Sequence, residues 1–299
     1  MNMAWCVQRW SELHPDKTAI IFEDNTITYK DLHETANRDS CWLQSLGIEK
    51  GDRVAVLMNN CPEFFGLYLA CSRIGAIFVP INTRLADPEL KYILDNSRPR
   101  LLVFQEKFIE PIERFVPGNN KTHMYLACIR NSFKNDNWFD YNSEVMEFIG
   151  KKPFITESLG PADPEEPHVI MYTSGTTGLP KGAVLSHRKT FFNCLNAEIF
   201  FKLQADDIML IILPLFHSGG LFIQASPILY KGGTMVIHPK FDPLKIYRDF
   251  ERFRVTKFLG VPTIYRSLIK TAPEKKTNLS SLKVCAIGGE KTTPELLEK

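Results

Sequence analysis

Two stretches of this chain alternate strand-like and helix-like apolar periods, and that alternation leaves few folds open. In the first, Arg53-Val54-Ala55-Val56-Leu57-Met58 reads as a strand, and Asn60 with Pro62 begins a helix to about Ile74. Ala76-Ile77-Phe78-Val79-Pro80-Ile81 is a second strand, Asp87-Pro88 is cap and first turn of a helix to about Asn96, and Leu101-Leu102-Val103-Phe104 is a third strand. Strands separated by single helices at this spacing must cross over, so the sheet is parallel and doubly wound. Upstream, Thr28 with Asp31 has the spacing of a capping box, Leu32, Ala36, Leu43 and Leu46 recur at helical period, and Gly47 stops that helix. Asp39 falls beside this apolar face, so either Ser40 points inward or the stripe is narrow.

The alternation resumes further on. His168-Val169-Ile170-Met171 and Ala183-Val184-Leu185 read as short strands, followed by a helix over 190–201 and a strand over 208–213. Helices over 221–230, 243–253 and from Pro262 to Lys270 then alternate with strands over 234–238, 257–261 and 282–287. Between the two stretches the pattern is thin: a strand over 124–129, a short helix over 144–149, and the proline- and acid-rich connector Pro161-Ala162-Asp163-Pro164-Glu165-Glu166-Pro167. The expected architecture is therefore α/β, with two successive doubly wound, largely parallel sheet subdomains over 1–160 and 161–299.

Composition excludes several classes. A net charge of +2 with acidic and basic residues interspersed is too mild for a nucleic-acid binder. Seven scattered cysteines without Cys-x-x-Cys argue against a disulfide framework or a zinc site and point to a reducing compartment. The first nine residues lack the apolar core of a signal peptide. Phe64 to Ile81 is apolar enough to be weighed as a membrane span, but Arg73, Gly75 and Pro80 interrupt it, and a helix followed by a buried strand explains it better. The expected location is cytoplasmic, with peripheral membrane contact left open.

The chemistry centres on Tyr172-Thr173-Ser174-Gly175-Thr176-Thr177-Gly178-Leu179-Pro180-Lys181-Gly182. Its three glycines let backbone N–H groups converge, four further hydroxyls can join them, and a lysine adds a full charge at the rim. That combination suits a polyphosphate. It is not the common phosphate loop, because Lys181 is followed by glycine rather than Ser or Thr, and it is not a dinucleotide fingerprint. Read from the residues alone, a solvated hairpin loop stays open as the alternative. Two further stretches end predicted strands, where ligands sit in α/β sheets: Leu213-Pro214-Leu215-Phe216-His217-Ser218-Gly219-Gly220 and Ile287-Gly288-Gly289-Glu290. A lone histidine at a turn is equally well a hydrogen-bonded structural residue, and Gly288-Gly289 could be a plain strand-to-helix turn. The other histidines show no metal spacing, and no Gly-x-Ser-x-Gly elbow is present.

The stretch YTSGTTGLPKG resembles, over all its positions, the signature loop of the adenylate-forming (AMP-binding) superfamily, and the chain looks most like the N-terminal part of a long-chain fatty-acid–CoA ligase. The later stretches follow in the order expected of that family. The resemblance implies that a carboxylate attacks the α-phosphate of ATP to give an acyl-adenylate and pyrophosphate, after which a thiol, usually of coenzyme A, displaces AMP. It implies that Thr173, Ser174, Gly175, Thr176, Thr177, Gly178 and Lys181 grip the ATP phosphates. Thr173 is the candidate Mg²⁺ contact. Lys181 and His217 would bear on catalysis, with His217 between acid and nucleotide. Gly288, Gly289 and Glu290 would lie where adenine and the substrate carboxylate meet, although Glu290 departs from the small apolar residues often found there. Pyrophosphate departure needs in-line positioning and charge stabilisation rather than a protein nucleophile.

Family members continue with an aromatic-Gly-x-Thr-Glu stretch, a ribose-binding Asp and a C-terminal lid bearing a further lysine. None lies in these 299 residues, so a truncated large domain, inactive alone, is the expectation. Two readings stand side by side: part of an ATP-dependent acid–thiol ligase, most simply for fatty acids, or a non-catalytic nucleotide- or acyl-binding module. Aryl-CoA ligases and carrier-loading adenylation enzymes are alternatives within the first. The partners expected are a small carboxylic acid, ATP and CoA, with no nucleic acid and no transmembrane segment, and a homodimer is allowed.

Overall fold

The computed structural model describes residues 2–115, 124–129, 138–151, 163–173, 178–274 and 277–298. The chain starts with helix α1 (Met3–Leu13), the hairpin strands β1 (Thr18–Phe22) and β2 (Asn25–Thr28), and helix α2 (Tyr29–Ser45). Thr28 caps α2 as its spacing predicts. Its hydroxyl accepts from the Asp31 amide at 3.1 Å, and the Asp31 carboxylate accepts from the Thr28 amide at 2.9 Å. The alternation then runs through β3 (Arg53–Leu57), α3 (Pro62–Ile74), β4 (Ile77–Pro80), α4 (Asp87–Ser97), β5 (Leu101–Gln105), α5 (Ile109–Phe115), β6 (Tyr125–Ile129), β7 (Phe139–Asp140) and α6 (Tyr141–Met146).

The later stretch supplies β8 (Pro167–Thr173), β9 (Lys181–Ser186), α7 (His187–Phe201), β10 (Ile208–Ile211), α8 (Ser226–Lys231), β11 (Thr234–Ile237) and α9 (Pro243–Arg252). It ends with β12 (Lys257–Gly260), α10 (Pro262–Lys270), β13 (Val284–Ile287) and α11 (Pro294–Leu297).

The strands form two sheets, in the orders β7-β6-β5-β3-β4-β8-β9 and β13-β12-β10-β11-β1-β2. Among the described residues every pairing is parallel except the two hairpins, β1–β2 and β8–β9, each at a sheet edge. This is the α/β, largely parallel, doubly wound architecture that the alternation demands. Sheet membership departs from chain order at both hairpins. The early hairpin joins the late strands through β1–β11, and the late hairpin joins the early strands through β4–β8. The two stretches are therefore laced together, and the connector at 161–167 does not separate one sheet from the other.

Strands buried on both faces explain why the sequence shows apolar runs rather than alternation. Along β3, Val54 and Val56 pack into a cluster that also holds Ile20, Met209, Ile211 and Met235 of the other sheet, while Ala55 and Leu57 face α4 through Leu90 and Ile93. A third cluster covers the outer face of the second sheet, where α9 contributes Ile246 and Phe250. Helix α3 lies in the middle layer with Phe64, Phe65, Leu67, Tyr68, Leu69, Ala70, Cys71 and Ile74 all buried. An all-round apolar helix belongs in a core as well as in a membrane. Among the described residues no helix is long and apolar enough to cross a membrane.

Several boundaries differ from the sequence reading for local reasons. The short helix begins at Tyr141, three residues before the expected Glu144, because the Asp140 carboxylate accepts from the Asn142 amide and caps it. Ala86, not Asp87, is the cap of α4, and the Glu89 carboxylate accepts from its amide at 3.1 Å. The helix expected over 221–230 starts as a π-helical segment over Gly219–Ala225 and becomes α-helical only at Ser226. Both Asp39 and Ser40 are buried, so the polar interruption of α2 lies inside the protein.

Candidate functional site

In a parallel sheet the carboxyl ends of the strands lie on one edge, and the loops leaving them gather there. Here the loops after β10, β11, β12 and β13 meet those after β3 and β4 of the other sheet, and together they enclose a cavity of about 1070 Å³. Two of the sequence-predicted stretches lie on it. His217, Gly288, Gly289 and Glu290 all line it, so residues more than seventy positions apart share one cavity. Its apolar surface comes from Ile212, Leu213, Phe216, Ile223, Val261 and Ile264, and its charged groups are Arg84, Lys240 and Glu290.

The geometry of the first stretch follows from its glycines and proline. The His217 amide donates to the Pro214 carbonyl at 3.1 Å, closing a tight turn, and the Leu221 amide donates to the His217 carbonyl at 3.0 Å. A Cβ at Gly220 would lie 2.7 Å from the Pro214 carbonyl carbon and 2.8 Å from the Leu213 oxygen, so only glycine lets the π-helical segment start against that turn. Such wide turns recur at functional sites. The His217 ring lies 4.7 Å from that of Phe216. Burial, reinforced by the Arg84 guanidinium, holds it below the usual imidazole range. His217 is therefore neutral at pH 7 and suited to packing or hydrogen bonding rather than to carrying charge.

At the end of β13, Gly288 has open space where a Cβ would stand, and Gly289 has φ +86°, a left-handed conformation that favours glycine. Backbone is therefore exposed to the cavity at a point where a planar group could approach it closely.

The signature stretch begins in the last residues of β8 and ends in the first residues of β9, the two strands that the sequence predicted on either side of it. Thr173 stands opposite Lys181 in the antiparallel register, and both are exposed. Gly178 adopts φ +134°. Ser174, Gly175, Thr176 and Thr177 lie outside the described residues. Tyr172 ties the hairpin to α4 by donating to the Asn96 side-chain oxygen at 2.5 Å, and an Arg188–Glu165 ion pair at 2.7 Å brackets its root. Thr173, Gly178 and Lys181 are not on the cavity lining, although their hairpin belongs to the sheet whose β3 and β4 loops reach it. Among the described residues no three His, Cys, Asp or Glu side chains gather as metal ligands, and Thr173 offers one exposed hydroxyl. Thr173 by itself does not make up a Mg²⁺ coordination set, and no step below is routed through a metal.

Sequence reasoning missed the contribution of the first sheet. Asn60 figured only as a helix start and Arg84 not at all, yet both line the cavity. The one signal available was position, since both follow predicted strands of a doubly wound sheet.

Comparison with known proteins agrees with this fold. The family model described as AMP-binding enzyme matches residues 7–299. The chain is 34% identical over 288 residues to an indoleacetate–CoA ligase of Aromatoleum aromaticum, covering 96% of this chain and 55% of that protein. It is 31% identical over 296 residues to a feruloyl-CoA synthase of an Amycolatopsis species, covering 99% of this chain and 56% of that protein. A fatty acyl CoA synthetase structure from Mycobacterium tuberculosis superposes with a TM-score of 0.85 at 26% identity, covering 99% of this chain and 56% of that one. The chain thus spans about half the length of the curated relatives it matches. With the family model matched over almost its whole length and a doubly wound fold that opens a cavity at its strand ends, this chain belongs to the AMP-binding, adenylate-forming enzyme family.

Proposed function

We propose that this chain forms the acid- and ATP-binding part of an acid–thiol ligase. In the reaction, a carboxylate oxygen of the acid bonds to the α-phosphorus of ATP as the bond to pyrophosphate breaks, giving an acyl-adenylate. The thiol of coenzyme A then attacks the acyl carbon and AMP leaves. The observation that carries this reading is the single cavity shared by the His217 and Gly288–Gly289 stretches, six loops deep at the carboxyl ends of parallel strands.

On this reading, the Gly288–Gly289 backbone receives the adenine ring, with Glu290 beside it. Neutral His217 packs between the acid and the nucleotide. Thr173, Gly178 and Lys181, with Ser174, Gly175, Thr176 and Thr177, take the β- and γ-phosphates, and the Lys181 ammonium offsets charge that builds on the departing pyrophosphate. Chemistry needs positioning here rather than a base, because the acid is already ionised at neutral pH. The apolar wall from Ile212 to Ile264 selects a bulky apolar acid. We assign a fatty acid first; relatives named for indoleacetate and ferulate support aromatic acids as the competing class. All seven cysteines are free thiols, which supports a cytoplasmic location.

Acid-dependent exchange of labelled pyrophosphate into ATP on the purified chain tests the reading, with calorimetric ATP binding as the companion measurement. Exchange that follows the added acid supports a ligase. ATP binding without exchange fits a ligase part that is inactive alone, and absence of both overturns the proposal.

A further inference from the structure

We propose that Asn60 is a positioning residue: reaching across from the first sheet, it holds the His217 loop, and so the acid-facing wall of the cavity, in register. This rests on the reading of the cavity as the acid and nucleotide site. Asn60 sits between β3 and α3 and is 5% exposed. Its amide nitrogen donates to the carbonyl oxygens of Leu213, at 3.0 Å, and His238, at 3.2 Å, while its side-chain oxygen accepts from the Leu215 amide at 2.9 Å. These three backbone groups lie just past the ends of β10 and β11, beyond the reach of the strand ladder, where an unpaired polar group would be costly. One side chain thus satisfies both loops.

The far end of this strut is itself fixed. The His238 amide donates to the Ile211 carbonyl at 3.0 Å, and the buried His238 ring meets the Asp249 carboxylate at 2.8 Å, which Lys245 also bonds at 2.8 Å. The near end is the motif. Leu213 and Leu215 flank Pro214, whose carbonyl receives the His217 amide. Moving either bonded group therefore moves His217. Few side chains could replace this one: Asp accepts but cannot donate, Ser has a single donor, and Gln is a methylene too long.

The test uses the full 299-residue chain. Long-range proton–nitrogen NMR reads the His217 ring, assigned by loss of its cross-peaks in His217→Gln. In Asn60→Ala the His217 cross-peaks shift, whereas those of His168 and His187, stacked at 4.4 Å at the root of the β8–β9 hairpin, stay in place and report an intact fold. Asn60→Asp keeps the acceptor for Leu215 but loses both donors, and protonating it restores one. Its His217 signal therefore returns toward wild type as pH falls, each pH compared with wild type, a profile that a packing defect lacks. A second arm measures binding of two acyl-adenylate mimics, decanoyl- and benzoyl-sulfamoyl adenosine, and affinity should fall about tenfold in Asn60→Ala. Unchanged His217 cross-peaks in both variants, or mimic affinity within about twofold of wild type, overturn the proposal. If wild type binds neither mimic, the acid–nucleotide reading fails and the NMR arm alone decides on Asn60. If Asn60→Ala does not fold, Asn60→Ser, with one donor left, carries the same measurements.

Discussion

Asp39→Asn is expected to change how the stability of this protein depends on pH. Asp39 is fully buried on α2, where its carboxylate accepts from the Tyr141 hydroxyl at 2.8 Å and lies 3.4 Å from the Arg38 guanidinium. Gly66 of α3 packs so closely that a Cβ there would overlap the carboxylate, leaving no room for water. Burial pushes the group up from 3.8 to about 6, against the opposing pull of Arg38 and the Tyr141 hydrogen bond. An acid whose folded value is raised is stabilising in its protonated form. That contribution is complete below the unfolded value of 3.8 and is lost as pH rises through about 6. A shift of about two units at about 1.4 kcal/mol each makes the swing about 3 kcal/mol. Asparagine has nearly the same shape and no charge to lose. Urea unfolding of wild type and Asp39→Asn between pH 4 and pH 7.5 measures the difference. The variant should gain on wild type by about 2–3 kcal/mol across that range, whatever its offset at pH 4. A pH-independent difference would falsify the assignment of a strained buried carboxylate, and a gain by wild type would reverse its sign.

Two substitutions probe the site more directly. Lys181→Ala removes an exposed ammonium from the end of β9, so thermal stability should be unchanged while calorimetric ATP affinity drops about tenfold; wild-type affinity would remove Lys181 from the phosphate grip. Gly220→Ala forces a Cβ to within 2.7 Å of the Pro214 carbonyl carbon, so denaturant unfolding should show a loss of about 2 kcal/mol or more, and an undiminished midpoint would show that the turn yields freely.

Much of the fold was legible because its elements obey local rules. The Thr28–Asp31 box, the Pro62 start and the Ile74 end of α3 each follow from a few neighbouring residues, and the structure places those boundaries where the sequence does. What stayed hidden is non-local. Nothing in Thr18–Phe22 says that, besides its hairpin partner β2, it will pair with Met235–Ile237 rather than with a strand of the first sheet, because hydrophobic strands carry no partner label. Helix α1 was missed for a related reason: its apolar face, Met3, Ala4 and Val7, is short and its start depends on the Asn2 side chain accepting from the Trp5 amide. The site divides the same way. Glycines and the histidine motif announced two walls of the cavity, while Asn60 and Arg84 carry no motif and matter only through the loops they meet.

The exchange of hairpins between sheets has a consequence for catalysis. On the proposed reading, the phosphate grip belongs to one sheet and the adenine and acid walls to the other, so the distance between the ends of ATP is set by how the sheets pack. That packing is not a hinge. A single cluster runs from Val54, Val56 and Phe78 through α3 to Met209, Ile211 and Met235, and Tyr68 links α3 to the start of α8 by a hydrogen bond to Ser226 at 3.0 Å. Close-packed interiors resist small displacements and transmit them. In-line attack tolerates little misplacement, and about 1 Å is enough to slow it severely. On the same reading, truncating a residue of this cluster such as Phe78 of β4 should weaken calorimetric ATP binding beyond what its stability cost explains, although it lies off the cavity lining. Rigid cores are usually read as a matter of folding; on the proposed reading this core would also set the spacing of the reacting atoms.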